Sequence, residues 1–259
     1  MTVVSNAIAA AARDLASALD PVRLAIRAGI TPDPWQADLL RGGQRDVLML
    51  CSRQSGKSTA AALRGVHTAL YRAPALVLMV APALRQAQEL YRVARGFYRA
   101  LGTEAVSEVE EESALRLELA NGSRIISLPG SEATVRSYAR VALLIIDEAA
   151  RVSDELYAAL RPMLAVGGGH LELLSTPFGK RGFFWREWSE GGDGWERVKV
   201  TAEQCPRITP EFLERERASI GDWWFRQEYL CEWLDPLDSA FSTIDVRAAL
   251  DPAVTPLFA

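Results

Sequence analysis

Residues 51–59, with the sequence CSRQSGKST, constrain the fold of this chain more than any other stretch. They follow a short apolar run, DVLMLC (46–51), that is typical of a buried strand, and they precede an Ala-rich stretch that is typical of a helix. Gly56, Lys57 and Ser58 match the end of the phosphate-binding pattern G-x-x-x-x-G-K-[ST]. A strand, such a loop and a helix in succession indicate a P-loop, because backbone N–H groups and the positive end of the helix then converge on an anion.

The loop supplies the candidate nucleotide-binding residues. Lys57 would place its charge on the outer phosphates of ATP, and the Ser58 hydroxyl would ligate Mg²⁺. The predicted set is Ser52, Arg53, Gln54, Ser55, Gly56, Lys57, Ser58 and Thr59. Cys51 occupies the first position of the pattern, where glycine is usual, and this departure bears on nucleotide affinity and redox sensitivity. The alternative is a chance G-K-S in an ordinary turn, which the flanking strand and helix disfavour.

A second motif, VALLIIDEAA (141–150), ends a strongly apolar run with two adjacent carboxylates. This is the form of a Walker B segment. Asp147 would hold Mg²⁺ through its water shell, and Glu148 would activate the attacking water as a general base. The two acids would otherwise only cap the next helix. A P-loop upstream in the same chain favours the catalytic interpretation.

A third motif, LLSTPFGKRG (173–182), again ends a predicted strand with small hydroxyl residues. Ser175 and Thr176 at that edge could sense the γ-phosphate and relay its loss. An ordinary turn that ends a strand is the alternative, because Ser, Thr and Pro favour turns.

The apolar runs 75–81, 141–147 and 171–175 show no polar alternation, which predicts strands covered on both faces. Helices are expected between them, and Asn121–Gly122 predicts a hairpin. The predicted fold is therefore α/β, a mostly parallel sheet flanked by helices. We expect an ATPase core with an N-terminal helical segment over residues 1–194, and a small subdomain packed beside the sheet over residues 195–259.

The composition excludes several classes of protein. Hydrophobic residues make up 49% and charged residues 24%, which argues against a disordered chain, and the net charge of −4 argues against a surface coated with nucleic-acid-binding charge. The three cysteines lie far apart and form no zinc pattern with the two histidines, which favours a reducing cytoplasm. The Ala-rich N-terminal stretch is too short for a membrane span, so no membrane partner is expected.

The order of these motifs resembles the large terminase subunits of tailed phages. The likeness covers about residues 30 to 235. It lies in PWQ (34–36), SRQSGK, LLIIDEAARV, LLSTPFGKRGFFW and WFRQEYLCEW (224–233). It implies a RecA-like ATPase core with a lid, with Gln36 reading the adenine base, Arg53 acting inside the Walker A loop and Glu148 as the catalytic glutamate.

The resemblance also implies partners. These are double-stranded DNA, the portal protein of an empty capsid, the small terminase subunit and further copies of this chain in a ring, usually pentameric, in the host cell cytoplasm. Within SEATVRSYAR, Arg136 is the candidate arginine that completes a neighbour's site, with Arg140 as the alternative. The other interpretation of Arg136 is an ordinary surface arginine in a loop. About two dozen residues follow Trp233, too few for the family's nuclease domain, so the chain is expected to be the motor domain without nuclease activity.

The predicted helix 84–101 carries one further signal. Arg85, Gln88, Arg92, Arg95 and Arg99 recur at spacings of three and four and fall within an arc of about 80°. The four arginines could follow a phosphate backbone, or they could form an ordinary solvated face that Glu89 partly neutralises.

Two other functions remain open. A helicase-type translocase shares the P-loop and the DEA sequence, but it needs two tandem RecA-like domains. A nucleotide-gated assembly module would not need Glu148 to activate water.

Overall fold

The computed structural model describes residues 2–43, 45–102, 107–130, 138–235, 240–241 and 243–249. Its helices are α1 (Thr2–Leu19), α2 (Pro21–Arg27), α3 (Pro34–Arg41), α4 (Lys57–Tyr71), α5 (Leu84–Ala100), α6 (Asp154–Leu160), α7 (Gly182–Glu190), α8 (Pro210–Ile220), α9 (Asp222–Glu228) and α10 (Thr243–Ala249). Its strands are β1 (Asp46–Cys51), β2 (Leu76–Ala81), β3 (Val109–Glu112), β4 (Arg116–Leu119), β5 (Arg124–Pro129), β6 (Val141–Asp147), β7 (His170–Ser175) and β8 (Trp195–Val200).

The strands form one eight-stranded sheet in the order β3-β4-β5-β2-β6-β7-β1-β8. The six strands from β5 to β8 in that order run parallel, and β3 and β4 add an antiparallel edge. The strands β1, β2, β6 and β7 are buried along nearly their whole length, as their unbroken apolar sequences predict. The predicted α/β fold and the hairpin at Asn121–Gly122 are therefore confirmed.

Helices cover both faces of the sheet. On one face α2, α3, α4 and α5 pack in a large apolar cluster, and on the other α6 and α7 pack in a second one. Because parallel strands end at the same edge, the loops after β1, β6 and β7 all lie at one side of the sheet. The three predicted motifs follow these three strands.

The strand β8 requires a correction to the predicted domain boundary. It pairs in parallel with β1 along six registered positions, from Asp46 opposite Trp195 to Cys51 opposite Val200. The sheet therefore continues past Gly194, and the part that lies outside it begins after Val200. There, α8 and α9 enclose a small apolar cluster of their own, centred on Ala202, Leu213 and Phe225.

The N-terminal helices form a layer against α4. Asp20 caps α2 as predicted, since its carboxylate accepts a hydrogen bond from the backbone of Val22 at 3.1 Å, and Pro21 follows at the first helical position. In the part of the chain that the structure describes, no helix combines the length and apolarity needed to cross a membrane.

Candidate functional site

The P-loop joins the end of β1 to the start of α4. Gly56 lies immediately before the helix with a φ of +91°, a conformation that glycine adopts without steric cost. The backbone N–H of Ser52 donates to the carbonyl of Val200 at 2.9 Å, so β8 holds the start of the loop. The Ser55 hydroxyl donates to the Ser52 carbonyl at 2.9 Å and closes the turn. The first N–H groups of α4, which have no partner within the helix, therefore face the loop and are suited to binding an anion.

Lys57 and Glu148 face each other across this loop. Lys57 Nζ lies 3.3 Å from Glu148 Oε1, and the lysine is 8% exposed. Burial disfavours the charged amine, but the carboxylates of Glu148 and Asp147 outweigh it and raise the pKa of Lys57. The lysine is therefore cationic at neutral pH.

Ser58 and Asp147 form the second contact between the two motifs. Ser58 Oγ donates to Asp147 Oδ2 at 2.9 Å, and the backbone N–H of Glu148 donates to Asp147 Oδ1 at 2.9 Å. Burial raises the pKa of Asp147, and the charge of Lys57 opposes that rise. A hydroxyl and a carboxylate at this separation are the hard oxygen ligands that Mg²⁺ prefers. The residues present thus fit the predicted metal.

Glu148 has an unusual backbone conformation. Its φ of +50° lies in the left-handed region, which costs a non-glycine residue about 1–2 kcal/mol. Its carboxylate faces Lys57, and its side chain makes no capping hydrogen bond to the 3₁₀ helix that follows. The geometry therefore favours the interpretation of this acid as part of the nucleotide site over that of a simple helix cap.

The side chain of Arg53 contacts the last residue of α9, Glu228. Its Nε donates to Glu228 Oε2 at 2.6 Å, and its backbone N–H donates to the Glu228 carbonyl at 3.4 Å. The hydrogen bond to Glu228 raises the pKa of Arg53. Arg151 lies 3.9 Å from both Glu228 and Glu148, so opposite charges alternate from the P-loop to the acidic pair. The sequence signal for Glu228 was its place in WFRQEYLCEW, which by itself did not indicate a partner.

Gln36 braces the P-loop from the side. Its Nε2 donates to the Gly56 carbonyl at 3.0 Å, its Oε1 accepts from the Asp33 N–H at 2.9 Å, and it is 4% exposed. Arg207 forms two bonds to the Asp33 carboxylate, at 2.8 and 2.7 Å, and one to the Ser55 carbonyl at 3.2 Å. The amide oxygen and nitrogen of Gln36 are thus both occupied, and reading an adenine base would require these bonds to rearrange.

Ser175 and Thr176 are both buried beside the P-loop. Ser175 is in register with Leu50, one residue before the loop begins, and its neighbour Leu174 is in register with Asp147. Among the described residues, the Ser175 hydroxyl has no hydrogen-bond partner. The predicted coupling residues therefore lie between the two nucleotide motifs, and a sensing role for them stays a prediction.

A cavity of about 690 Å³ opens beside the loop. Its lining combines cations with aromatic and aliphatic side chains: Arg53, Gln54, Arg207, Ile208, Thr209, Phe212, Arg215 and Tyr229. Most of these residues come from the segment after Val200, which the sequence did not connect to the nucleotide. Flat aromatic faces beside arginines suit a base joined to phosphates.

Cys51 does not provide a redox-sensitive group in the folded protein. The residue has no exposed surface, and burial raises the pKa of its thiol to about 12. Because the thiolate is the reactive form, the folded protein keeps this sulfur inert. Its side chain packs in the core below the loop.

The two candidate arginines for a neighbour's site differ in what the structure says of them. Arg136 lies outside the described residues. Arg140 is exposed, just before β6, with a φ of +56°. Arg136 and Arg140 therefore both remain candidates for the arginine that completes a neighbour's site.

The predicted arginine face of α5 is exposed, since the opposite face of the helix packs on the sheet. Acidic side chains neutralise part of it. Glu112 on β3 pairs with Arg95 and Arg99, and Glu89 pairs with Arg92 at 2.8 Å. A role of this face in DNA binding stays a prediction.

Sequence comparison gives this site a family context. A family model described as terminase large subunit, T4likevirus-type, N-terminal, matches residues 48–248. The terminase large subunit of Thermus virus P23-45 is 27% identical over 256 residues, which covers 86% of this chain and 53% of that relative. The chain thus spans about half the length of the curated relatives it matches.

Solved structures share the architecture. The large terminase ATPase domain of Thermus phage P74-26 aligns with a TM-score of 0.70 at 23% identity, over 81% of this chain and 97% of that one. The large terminase of another thermophilic bacteriophage, in complex with ADP, aligns with a TM-score of 0.63 at 13% identity, over 78% of this chain and 53% of that one. These likenesses confirm the predicted RecA-like fold.

Proposed function

The chain belongs to the terminase large subunit family, and from this premise we propose that it hydrolyses ATP to drive double-stranded viral DNA into a procapsid. One observation carries the proposal. The P-loop and the acidic pair, which are about 90 residues apart in sequence, meet through Lys57–Glu148 at 3.3 Å and Ser58–Asp147 at 2.9 Å. A chance G-K-S sequence in an ordinary turn would not be expected to contact two carboxylates at the end of a neighbouring strand.

The residues divide the work of hydrolysis. Lys57 and the N–H groups at the start of α4 would bind the β- and γ-phosphates, and the cavity lined by Tyr229 and Phe212 would take the nucleoside. Ser58 and Asp147 would hold Mg²⁺, which supplies charge neutralisation at the phosphate oxygens. Phosphate would replace Glu148 as the partner of Lys57, and the freed Glu148 carboxylate would then accept a proton from the attacking water.

The test is the substitution Glu148→Gln. We expect the turnover of ATP to fall about 10²–10⁴-fold, because the amide cannot accept the proton. Binding of ATP should persist, since Lys57 and the loop are intact. Glu155→Gln, an exposed acid on the nearby α6, is the matched control and should leave turnover unchanged. Equal turnover in the Glu148 and Glu155 variants would contradict the proposal.

The arginine that completes the site is expected to come from a neighbouring copy. Arg136 is the first candidate and Arg140 the second, on the basis of the family resemblance. Because an arginine finger contributes about 10³–10⁵ in rate, ATPase activity should rise steeply with protein concentration and lose that dependence in Arg136→Ala or Arg140→Ala. A rate per molecule that is independent of concentration in the wild type would refute the shared site.

The further partners follow from family membership alone. They are the portal protein, the small terminase subunit and a ring of copies of this chain, assembled in the host cell cytoplasm. A pull-down of portal protein by the Glu148→Gln variant, loaded with ATP, would test the first of these contacts. Absence of capture in every nucleotide state would remove the portal from the partners of this chain.

The exposed face of α5 is the proposed DNA contact. Along one side of this 17-residue helix lie four cations, Arg85, Arg92, Arg95 and Arg99. Beside them runs a groove of about 530 Å³, which Gln88, Glu112 and Ser113 help to line. Phosphates would displace the acidic side chains from their arginines.

Charge reversal at Arg99 tests this contact. The variant Arg99→Glu should bind DNA more weakly and leave basal ATP hydrolysis nearly intact. Arg99 lies near the end of α5, about 22 Å along the helix from its start at the sheet edge that carries the P-loop. The matched control is Arg23→Glu, which reverses an exposed charge on α2. Equal DNA affinity in the two variants would count against this surface.

A further inference from the structure

A second cavity, here called the basal cavity, has a volume of about 370 Å³. It lies at the edge of the sheet opposite the P-loop, where β6 and β7 begin and where α4 ends. It is lined by Ala18, Leu19, Asp20, Pro21, Leu40, Arg41, Gly43, Arg64, His67, Thr68, Arg72, Ala142, Leu143 and His170. Five of these side chains are basic and one is acidic. The composition indicates a site for a negatively charged ligand.

Two of the three arginines are already compensated. Arg41 forms two bonds to the Asp20 carboxylate, at 3.1 and 2.9 Å. Arg64 pairs with Glu172, which lies below the cavity, and donates to the carbonyls of Leu39 and Gly43 at 2.7 and 3.1 Å. These groups are fixed walls of the basal cavity, and their charges are already used.

The third arginine, Arg72, pairs with no carboxylate among the described residues. Arg72 is partly exposed, and partial burial lowers the pKa of its guanidinium. The nearby charge of Arg64 lowers it further, so two positive charges lie close together at this point. An anion placed between Arg72 and the cavity wall would relieve that repulsion, and the planar guanidinium can bind two oxygens at once.

Both histidines of the chain line the same cavity. His67 Nε2 lies 3.1 Å from the Ser17 carbonyl, and its ring packs against Tyr71. His170 lies 3.9 Å from Asp46. Burial, with the charges of the cavity arginines, lowers the pKa of both imidazoles. They are therefore neutral at pH 7, and each would gain a proton more readily if an anion bound beside it.

We propose that the basal cavity binds a small phosphate-bearing anion, with Arg72 as its charged anchor. A phosphate has acceptor oxygens in several directions, which matches a guanidinium, the Thr68 hydroxyl and two imidazoles placed around one space. The leucine and proline side chains of the lining offer apolar surface to an organic group attached to that phosphate. A DNA duplex is far too wide for a space of about 370 Å³.

The position of the site gives the proposal a structural meaning. The helix α4 begins at Lys57 in the P-loop and ends next to Arg72, about 22 Å away at 1.5 Å per residue. An anion in the basal cavity would therefore join α2, α3 and the end of the P-loop helix at a place separate from the ATP site.

The two histidines make a selective experiment possible. Their imidazole C–H signals in a carbon-edited NMR spectrum report on this cavity alone, whereas the P-loop contains no histidine. Inorganic phosphate and AMP would be titrated separately into the Lys57→Ala protein, which removes the principal phosphate ligand of the P-loop. We expect saturable shifts of both signals and a higher pKa of both imidazoles at saturation. Tighter binding of AMP would indicate a phosphate ester as the ligand, and equal binding would indicate free phosphate.

Arg72→Gln tests the anchor, and Arg124→Gln on β5 is the control with the same change of charge. We expect at least ten-fold weaker phosphate binding in the first variant and unchanged binding in the second. Shifts that grow linearly with both ligands, or equal affinities in the two variants, would overturn the proposal. The Glu148→Gln experiment tests the ATP site separately, so its outcome does not affect this test of the basal cavity.

Discussion

The ion pair between Arg64 and Glu172 connects α4 to the strand that carries Ser175, and its removal should destabilise the α/β core of the protein. Arg64 lies on α4 and is 9% exposed, while Glu172 lies on β7 and has no exposed surface. One oxygen of Glu172 is paired with Arg64 and the other has no hydrogen-bond partner among the described residues. The perturbation is Arg64→Met, which keeps much of the length of the side chain and removes its charge.

The expected cost follows from what the substitution leaves behind. Glu172 would be a buried carboxylate with no cation, and breaking a buried pair in this way costs about 3–5 kcal/mol of unfolding free energy. The carbonyls of Leu39 and Gly43 would also lose their donor. Replacing both partners, as Arg64→Met with Glu172→Leu, removes the uncompensated charge, so the double variant should be more stable than Arg64→Met by about 2 kcal/mol or more.

The assay is urea unfolding followed by circular dichroism, with free energies extrapolated to water. Burial raises the pKa of Glu172 against the opposing charge of Arg64. A carboxyl whose folded pKa is raised destabilises the protein once the pH is high enough to ionise it. The deficit of Arg64→Met should therefore be smaller at pH 5 than at pH 8. A deficit below about 1 kcal/mol, or one that the double variant does not reduce, would refute this account of the pair.

Three further predictions concern the loop and the arginine face. Gly56→Ala should weaken ATP binding at least ten-fold, because the new Cβ would lie 2.6 Å from the Gln36 side-chain nitrogen. Gly29→Ala is the control, since Gly29 has a similar φ but open space around it, and it should leave ATP binding unchanged. Equal ATP affinities in the two variants would show that the crowding is absent. Cys51 should resist alkylation by iodoacetamide at pH 8 in the folded protein, because its thiol pKa is about 12. Rapid alkylation, detected by mass spectrometry, would contradict its burial. Glu112→Gln should raise DNA affinity about two- to ten-fold at low salt by freeing two arginines, with exposed Glu111→Gln as the control, and no difference between them would remove Glu112 as a competitor for phosphate.

Much of the sheet was predictable because its central strands are buried on both faces. The runs that became β1, β2, β6 and β7 are apolar along their length, and a short strand covered on both faces has that pattern. The loops that follow them could be placed at one edge for the same reason. This is why Lys57, Ser58, Asp147 and Glu148 could be assigned to one site from the sequence.

The contacts of charged residues were not predictable in the same way. Arg207 and Asp33 are 174 positions apart, and Arg53 and Glu228 are 175 apart, so no local spacing connects them. Any of the chain's many arginines could have paired with either acid. The strand β3 was missed because VEEE has neither alternation nor an apolar run, and in the sheet it pairs with β4 alone among the described strands.

The place of β1 in the sheet has a consequence for how this protein is made. The strand is the first of the sheet to leave the ribosome, yet both of its neighbours, β7 and β8, follow it by more than 100 residues. Until they arrive, β1 has unpaired edges and the Ser52 amide lacks the Val200 carbonyl that receives it. We therefore expect the loop at residues 51–59 to be among the last parts of the core to become ordered. A chain released before Val200 would contain Lys57 and Glu148 but would lack the strand that holds the start of the loop in place.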